Sequence, residues 1–275
     1  MLNMNVQKFL KRMKKVQDKL LDYLEDESNG DEQFQSLKQV LEEIEIHKDE
    51  HLLMSLLHLL VKVANNHHRD PNFFEKIEKI LQIFQEDIKK YFSNTEIFNI
   101  FKSNKQLLLF LIEHKLMVID EYVAKKIIQK KYVKSNYLQY FLPEMRPFKD
   151  EKWIQPCNND LSDKMFDELQ KGELPDNFYE NRKKGENENL ICKFIREDSV
   201  QEFIAYVNKN NIPLNSEIKS SIYETSPFLI KKQIESQPNF VNFTMKKKDN
   251  KLTLIKYATF FGSIQIVQYL QMNNV

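Results

Sequence analysis

Two histidines and a glutamate lie close together near residue 50. His47, Glu50 and His51 form the H-x-x-E-H pattern of an inverted zinc-peptidase motif. Histidines four residues apart on one helix can share a zinc ion, and the glutamate could activate its water. Such enzymes need a third protein ligand and an enclosing cleft in a far larger domain, whereas here Lys48 and Asp49 interrupt the apolar stripe. An exposed turn with Asp49 capping the next helix is the preferred interpretation, and a metal-dependent hydrolase is the alternative hypothesis.

Other residues of reactive type have structural explanations. Cys192 falls on the apolar side of its segment, where a thiol usually behaves as a small hydrophobic side chain. His58 lies within a leucine-rich face, which predicts a packed core histidine. His67 and His68 follow one predicted helix and Asp70 begins the next, so the helix dipole and capping account for them. With four glycines in the chain, no phosphate-binding loop can be written. We therefore predict no catalytic residue, no metal site and no cofactor.

The composition is that of a globular protein, with 41% apolar and 29% charged residues among 275. The longest uninterrupted apolar run, Leu107 to Ile112, is far shorter than the roughly 18 residues of a membrane helix. Basic residues from Lys8 to Lys15 interrupt the segment where a signal peptide would have its apolar core. Cys157 and Cys192 are too few for a disulfide framework. These features predict a cytoplasmic protein without a membrane partner.

The net charge of +1 does not provide the basic field that nucleic-acid-binding proteins usually have. The basic runs lack the interleaved aromatic residues that stack on bases; these runs are Lys130-Lys131, Arg182-Lys183-Lys184 and Lys246-Lys247-Lys248. Solvated loops are the preferred interpretation of all three. We predict no nucleic-acid partner.

The first part of the chain, residues 1–148, has a helical pattern nearly throughout, and Gly30 is its one glycine. Apolar residues recur at the 3.6-residue period from Val6 to Leu24, then over residues 34–44 and 52–63. Asp70 and Pro71 are typical of the cap and first position of a fourth helix that extends to about Ile88. Ser93 and Glu96 have the spacing of a capping box, so a further helix is predicted to begin there.

Shorter helices are predicted around residues 107–112, 122–129 and 136–142. Helix pairs joined by short polar turns, without sustained strand alternation, predict an all-α protein whose residues 1–148 form a helical bundle or α-solenoid. Residues 149–188 have the composition of a linker with one helix, Leu161 to Leu169. The repeats described next occupy residues 189–275.

The last part of the sequence, from Lys251 to Val275, contains a regular set of residue types. A threonine opens the first helix, a small residue packs on a neighbour, a glycine breaks the chain, and apolar residues mark the second helix; these are Thr253, Ala258, Gly262, Ile266 and Leu270. The pattern resembles one ankyrin-type repeat. Gly262 is expected to end the first helix in the left-handed conformation, and Ser263 to cap the second with its side chain. An ordinary helical hairpin is the alternative.

A second copy of this pattern lies upstream. Residues 198–212 align with residues 262–275 after a one-residue gap, and Tyr206 then matches Tyr269 at an offset of 63 residues. This offset is close to twice the ankyrin period of roughly 33 residues. We therefore expect a more diverged repeat between the two copies, at about residues 215–250, with a short helix that starts near residues 225–229.

Three segments, Ile195–Ile204, Glu224–Leu229 and Phe260–Ile266, carry a wider resemblance. The whole chain resembles a family of protozoan proteins in which a helical N-terminal region precedes divergent ankyrin repeats, a domain of unknown function. The resemblance implies protein binding through stacked repeats, with no enzymatic activity and no cofactor. Members of the family usually carry several further repeats, so this chain is expected to be a truncated version or a fragment.

The sequence thus predicts a non-enzymatic module that binds protein partners through the concave face of stacked repeats. Candidate partner contacts lie at the hairpin tip and on the first helix of the last repeat; they are Lys246, Lys247, Lys248, Asn250 and Lys256. No polar capping helix follows this repeat, so an exposed apolar edge is expected, formed by Phe260, Ile264 or Val267. Self-association through this edge is the corresponding prediction.

Overall fold

The computed structural model describes residues 2–26, 31–66, 72–128, 137–151, 171, 173–226, 228–230 and 251–275, and side chains from residue 6 onward. These residues are mostly helical, with one isolated antiparallel bridge between Glu217 and Thr253. The all-α class is thereby confirmed for the described part of the chain. None of the helices described is both long enough and apolar enough to cross a membrane.

The chain divides into two compact units, Met1–Val118 and Ile119–Val275. Helices of the first unit are α1 (Leu2–Glu25), α2 (Asp31–Glu43), α3 (Glu50–Ala64), α4 (Phe73–Ile83), α5 (Gln85–Tyr91), α6 (Asn94–Phe101) and α7 (Lys105–Glu113). Helices of the second unit are α8 (Glu121–Ile128), α9 (Tyr137–Tyr140), α10 (Leu142–Met145), α11 (Phe178–Lys184), α12 (Leu190–Arg196), α13 (Val200–Lys209), α14 (Leu254–Phe261) and α15 (Ile264–Met272). The boundaries after residues 148 and 188 inferred from the sequence stay predictions.

The apolar stripes of the first three predicted helices form much of the core of the first unit. α1 packs against α2, α3 and α4, and α3 also packs against α6. One part of the prediction is wrong, because Val6 and Leu10 are exposed and the first buried side chain of α1 is Val16. Lys15 forms a salt bridge of 2.5 Å with Glu43, which is the last residue of α2. The turns of α1 before Lys15 therefore extend beyond the end of α2.

Two helix starts predicted from capping residues, at Asp49 and at Ser93, are confirmed. Asp49 Oδ1 accepts hydrogen bonds from the amides of His51 and Leu52, at 3.0 and 3.1 Å. Ser93 and Glu96 form a complete capping box at the start of α6. Hydrogen bonds from Ser93 lower the pKa of Glu96, because they favour the charged carboxylate.

The predicted fourth helix is divided in two. Phe84 separates α4 from α5 with φ −100 and ψ 15, outside the helical range. Phe84 is itself buried, as is Ile88 in the following helix, so the break keeps both side chains in the core. The predicted start at Asp70 and Pro71 lies outside the described residues, as does Gly30.

A buried arginine holds the early part of the second unit together. Nη1 of Arg182 donates to both carboxylate oxygens of Glu144, at 2.9 and 2.8 Å, and to the carbonyl of Tyr140 at 3.2 Å. Its guanidinium also lies within 5.5 Å of the ring centres of Phe178 and Tyr179. The prediction that Arg182 belongs to a solvated loop is wrong, because Glu144 compensates its charge and aromatic rings cover it.

α11, which carries this arginine, lies within the stretch predicted to be a linker, and no helix was predicted at its position. Gly185 ends the helix with φ 68, a left-handed conformation that glycine takes without steric cost. The helix predicted from Leu161 to Leu169 lies outside the described residues, together with Lys130 and Lys131.

Lys76 of α4 places its ammonium group inside the first unit. Its Nζ donates hydrogen bonds to the carbonyl oxygens of Leu24 and Asp26, at 3.2 and 2.6 Å. The last carbonyl groups of a helix lack intrahelical partners and form the negative end of its dipole. Lys76 therefore caps the C-terminal end of α1 from a neighbouring helix.

We expect Lys76→Met to lower the free energy of unfolding by about 1–3 kcal/mol, because the apolar stem is kept while the two carbonyls lose this donor. The matched control is Lys79→Met, on the exposed side of the same helix, with an expected change below about 0.5 kcal/mol. Denaturant unfolding followed by circular dichroism measures both variants. Equal effects of the two would contradict the capping role.

Candidate functional site

The structure does not assemble the zinc motif that the sequence contains. His47 lies in a 3-10 helix, Ile46–Lys48, whereas Glu50 and His51 open α3. Asp49 between them is extended, with φ −127 and ψ 103, so the two histidines do not share a helical face. Among the residues that the structure describes, no group of three or more His, Cys, Asp or Glu side chains is placed to hold a metal.

Of the predictions for the remaining cysteine and histidines, one is confirmed, one is wrong, and one falls on residues outside the described part of the chain. Cys192 is fully buried, as its apolar surroundings predicted. The prediction of a packed core histidine at His58 is wrong, because the buried leucines of α3 occupy the opposite face and His58 is exposed. His67 and His68 lie outside the described residues.

Two helical hairpins pack together in the second unit. The first hairpin is α12 with α13, and the second hairpin is α14 with α15. α12 contacts α14 and α13 contacts α15, so corresponding helices lie side by side. Their shared core includes Cys192, Phe203, Tyr257, Ile266 and Leu270.

The backbone of the two hairpins repeats in detail. Asp198 and Gly262 follow the first helix of each hairpin in the left-handed conformation, with φ 48 and 69. Asn211 and Asn274 follow the second helix in the same conformation, with φ 49 and 61. Glycine, asparagine and aspartate are the residues that tolerate this region best. The two copies recognised in the sequence therefore have the same local fold.

Side-chain hydrogen bonds at the ends of the second helices repeat as well. Asn210 donates its side-chain amide to the carbonyl of Tyr206 at 2.8 Å. Asn273 makes the same bond to Tyr269, also at 2.8 Å. The predicted correspondence of Tyr206 with Tyr269 is thus confirmed by their equivalent positions.

A carboxylate joins the two hairpins. The side-chain oxygens of Asp198 accept hydrogen bonds from the amides of Gln265 and Ile266, at 3.1 and 3.0 Å. These amides belong to the first turn of α15, so Asp198 caps that helix from the other hairpin. The prediction that Ser263 caps α15 with its own side chain is wrong, because its buried hydroxyl donates to the carbonyl of Ile195.

Direct contact between the hairpins corrects another expectation. The predicted third repeat, at about residues 215–250, is not stacked between the two copies, since their helices touch each other. Residues 228–230 are helical, as predicted for the start of that segment, and residues 231–250 lie outside the described part. The two copies at an offset of 63 residues are therefore neighbouring hairpins in the described part of the chain.

The five repeat-defining residues occupy distinct positions in the second hairpin. Ala258, Ile266 and Leu270 are fully buried, and Gly262 ends α14 in the left-handed conformation expected for it. Thr253 stands at the N-cap of α14, without a side-chain capping bond. Its backbone forms the isolated bridge instead, next to hydrogen bonds that join Ile218 to Leu252 at 2.7 Å and Leu254 to Ser216 at 3.1 Å.

A polar cluster also connects the first helices of the two hairpins. Nη1 of Arg196 donates to the hydroxyl of Tyr257 and to the carbonyl of Asn187, both at 3.0 Å, and Nη2 pairs with Glu186 at 3.1 Å. Burial raises the pKa of the Tyr257 hydroxyl and raises the pKa of the Cys192 thiol to about 12. Both groups are therefore neutral at physiological pH, and Cys192 has the character of a structural thiol.

A groove of about 290 Å³ runs along α14, and this groove is the candidate functional site. Its lining residues are Phe228, Leu252, Ile255, Lys256, Thr259 and Phe260. The rings of Phe228 and Phe260 stack with centres 5.3 Å apart and planes inclined by 4°, and Phe228 is still 50% exposed. Accessible aromatic rings in a concave, apolar site are typical of places where proteins bind partners.

Of the five predicted partner contacts, one belongs to the described part of the chain. Lys256 is exposed at the groove, and its ammonium donates to the carbonyl of Lys251 at 2.9 Å. Lys246, Lys247, Lys248 and Asn250 lie outside the described residues. Of the predicted apolar edge, Ile264 is 65% exposed, whereas Phe260 lines the groove and Val267 is half-buried.

Sequence reasoning missed two residues that matter for this site. Asp198 aligns with Gly262, and an aspartate at the position of a helix-ending glycine, with a carboxylate that can accept amide hydrogen bonds, was a usable signal for a cap. Phe228 lies in the connection between the hairpins, and no periodicity relates it to Phe260, so only the folded chain brings them together.

Comparison of the chain with protein-family models, with curated proteins and with solved structures gave no match in any of the three. The candidate site is therefore defined by its own geometry. The ankyrin-type pattern and the wider family resemblance stay predictions.

We expect substitutions of Asp198 to rank as Asn, Gly and Ala in order of increasing damage. Asparagine keeps a side-chain acceptor and tolerates positive φ, glycine loses only the cap at about 1 kcal/mol, and alanine adds about 1–2 kcal/mol of backbone strain. Free energies of unfolding from denaturant titration give the ranking. An alanine variant as stable as the asparagine variant would contradict the cap.

Cys192 should react slowly in the folded chain. In a Cys157→Ser background at pH 8, a thiol with a pKa of about 12 rather than 9.0 has about a thousandfold less thiolate, so iodoacetamide labelling should slow at least that much. Because the pKa of the Cys192 thiol is higher in the folded chain than in the unfolded chain, its contribution to the free energy of unfolding is fully present below about pH 9. This contribution is lost as the pH rises towards 12. Peptide mass spectrometry follows labelling, and a rate equal to that in denaturant would contradict the burial.

Proposed function

We propose that this chain is a non-enzymatic interaction module that binds protein partners through stacked helical hairpins of ankyrin type. The proposal includes the sequence-based expectations that the first 148 residues form a helical bundle or α-solenoid, that the protein is cytoplasmic, and that it belongs with the protozoan proteins it resembles. Metals, cofactors and nucleic acids have no part in this function.

The stacking geometry supports the ankyrin-type assignment. Corresponding helices of the two hairpins lie side by side, and the same backbone conformations recur at both turns. An extended pair of segments precedes α14, where Ile218 donates to Leu252 and Leu254 donates to Ser216. Ankyrin repeats combine two helices with a turn of extended chain in this order. In this chain the two copies are offset by 63 residues, close to twice the ankyrin period of roughly 33 residues.

The groove along α14 is the observation that carries the proposal. α14 is the first helix of its hairpin, and first helices line the binding face of stacked repeats. The stacked rings of Phe228 and Phe260 offer an apolar contact area, and Lys256 adds a charge beside it. Binding energy is usually concentrated in a few aromatic and charged residues at such sites. The expected partner therefore presents an apolar side chain to the rings.

We expect Thr259→Arg and Lys256→Glu each to weaken partner binding at least about tenfold, a change of about 1.4 kcal/mol. The arginine would occupy the groove, and the glutamate would reverse its charge. Both residues are exposed, so the melting temperature should stay unchanged. The chain of 275 residues is immobilised on a resin and incubated with an extract of its native cell. The partner that it retains is identified, and its Kd is then measured for the parent chain and for each variant.

Matched controls make the same changes on the second helix of the first hairpin, away from α14. They are Asn208→Arg and Lys209→Glu, both at exposed positions. Only the two groove variants should lose the partner. If all four variants bind equally, the groove is not the binding site. If no specific partner is retained by the parent chain, the proposed function itself is contradicted.

A further inference from the structure

The outer face of α15 differs from the rest of the chain in its charge. From Tyr257 to Val275 no side chain belongs to Asp, Glu, Lys or Arg, although these residues make up 29% of the whole sequence. Among the described helices of seven or more residues, α15 is the one without a charged residue. Depletion of charge is the compositional signal of the core of a protein interface.

Exposed side chains form a continuous row on this face. Ile264, Gln268 and Met272 follow one another at intervals of four residues, so they lie along one side of the helix. Ile264 is 65% exposed and Met272 is 82% exposed. The opposite side of α15 carries Ile266 and Leu270, which are fully buried in the core shared with the first hairpin. The row therefore faces away from that core.

The first hairpin shows that the fold does not require an uncharged surface here. At the offset of 63 residues, Ile264 corresponds to Gln201, and Met272 corresponds to Lys209. Gln201 and Lys209 are exposed on α13, which folds in the same way as α15. The hairpin fold therefore does not require apolar residues at these two positions of α15.

We propose that this face of α15 pairs with the same face of a second copy of the chain. A surface without charge is its own electrostatic complement, because two identical copies meet without repulsion and without an unpaired ion. Two-fold antiparallel pairing centred on Gln268 places Ile264 of one copy against Met272 of the other. At the centre, the two Gln268 side-chain amides can donate to and accept from each other. Rows spaced by four residues on both helices suit a close helix crossing.

The contact area of this pairing is small, so dimerisation has to be measured at high protein concentration. A nine-residue helix is roughly 14 Å long and buries less area than a standard interface of about 800 Å² per partner. Association should therefore be reversible. We expect the average mass in sedimentation equilibrium to rise from 33.1 kDa towards twice that value over roughly 10 μM to 1 mM, the range of weak complexes.

The double variant Ile264→Gln with Met272→Lys tests the surface without disturbing the fold, since it gives α15 the residues that α13 already carries. We expect it to weaken dimerisation at least tenfold with an unchanged melting temperature. The control Gln201→Lys, on the first hairpin, should dimerise like the parent. A monomeric parent at all concentrations, or a double variant that dimerises like the parent, would overturn the proposal.

Cross-linking tests the two-fold arrangement separately. In the full chain with Cys157→Ser, Gln268→Cys should form a disulfide-linked dimer on mild oxidation, whereas Ala205→Cys, at the corresponding exposed position of α13, should not. Assemblies larger than two copies would rule out closed two-fold pairing. This surface and the groove lie on different helices, so loss of self-association leaves partner binding in place, and failure to find a partner leaves the dimer intact.

Discussion

The hydrogen bonds that Asp198 accepts from the first turn of α15 determine how the two hairpins meet. Both amides would otherwise lie at a helix end without an intrahelical partner, and Asp198 satisfies them from the turn of the neighbouring hairpin. The same turn brings Ser263 against the carbonyl of Ile195. These contacts fix the rotation and height of the second hairpin on the first. The burial of Ala258, Ile266 and Leu270 follows from that register.

Direct stacking has a consequence for the connection between the hairpins. Because corresponding helices contact each other, the described residues of the connection, 213–226 and 228–230, do not separate the two hairpins. Part of it pairs along the start of α14, where Ile218 donates to Leu252 at 2.7 Å. Another part brings Phe228 onto the ring of Phe260. The groove is therefore built jointly by a hairpin and by its connection, and a standard repeat of roughly 33 residues would lack one of its walls.

Local signals in the sequence predicted a large part of the fold. Helix periodicity placed α1, α2 and α3, and the capping residues Asp49 and Ser93 gave the starts of α3 and α6. The alignment of Tyr206 with Tyr269 identified two equivalent hairpins. Features that depend on contacts between distant residues were not predictable in this way. Arg182 resembled part of a solvated lysine run, since nothing nearby in sequence reveals Glu144 as its partner.

Repeat proteins usually need about three stacked units, because each unit buries its apolar face only against its neighbours. The two described hairpins have additional cover on the side of α12. The hydroxyl of Thr225 donates to the carbonyl of Gly185 at 2.8 Å, and the side chain of Asn187 donates to the carbonyl of Lys219 at 2.9 Å. The connection and the segment before α12 thus close one side of the pair with polar contacts. The two sides of the pair therefore differ, because polar contacts cover the side of α12, whereas Ile264 and Met272 are exposed on α15.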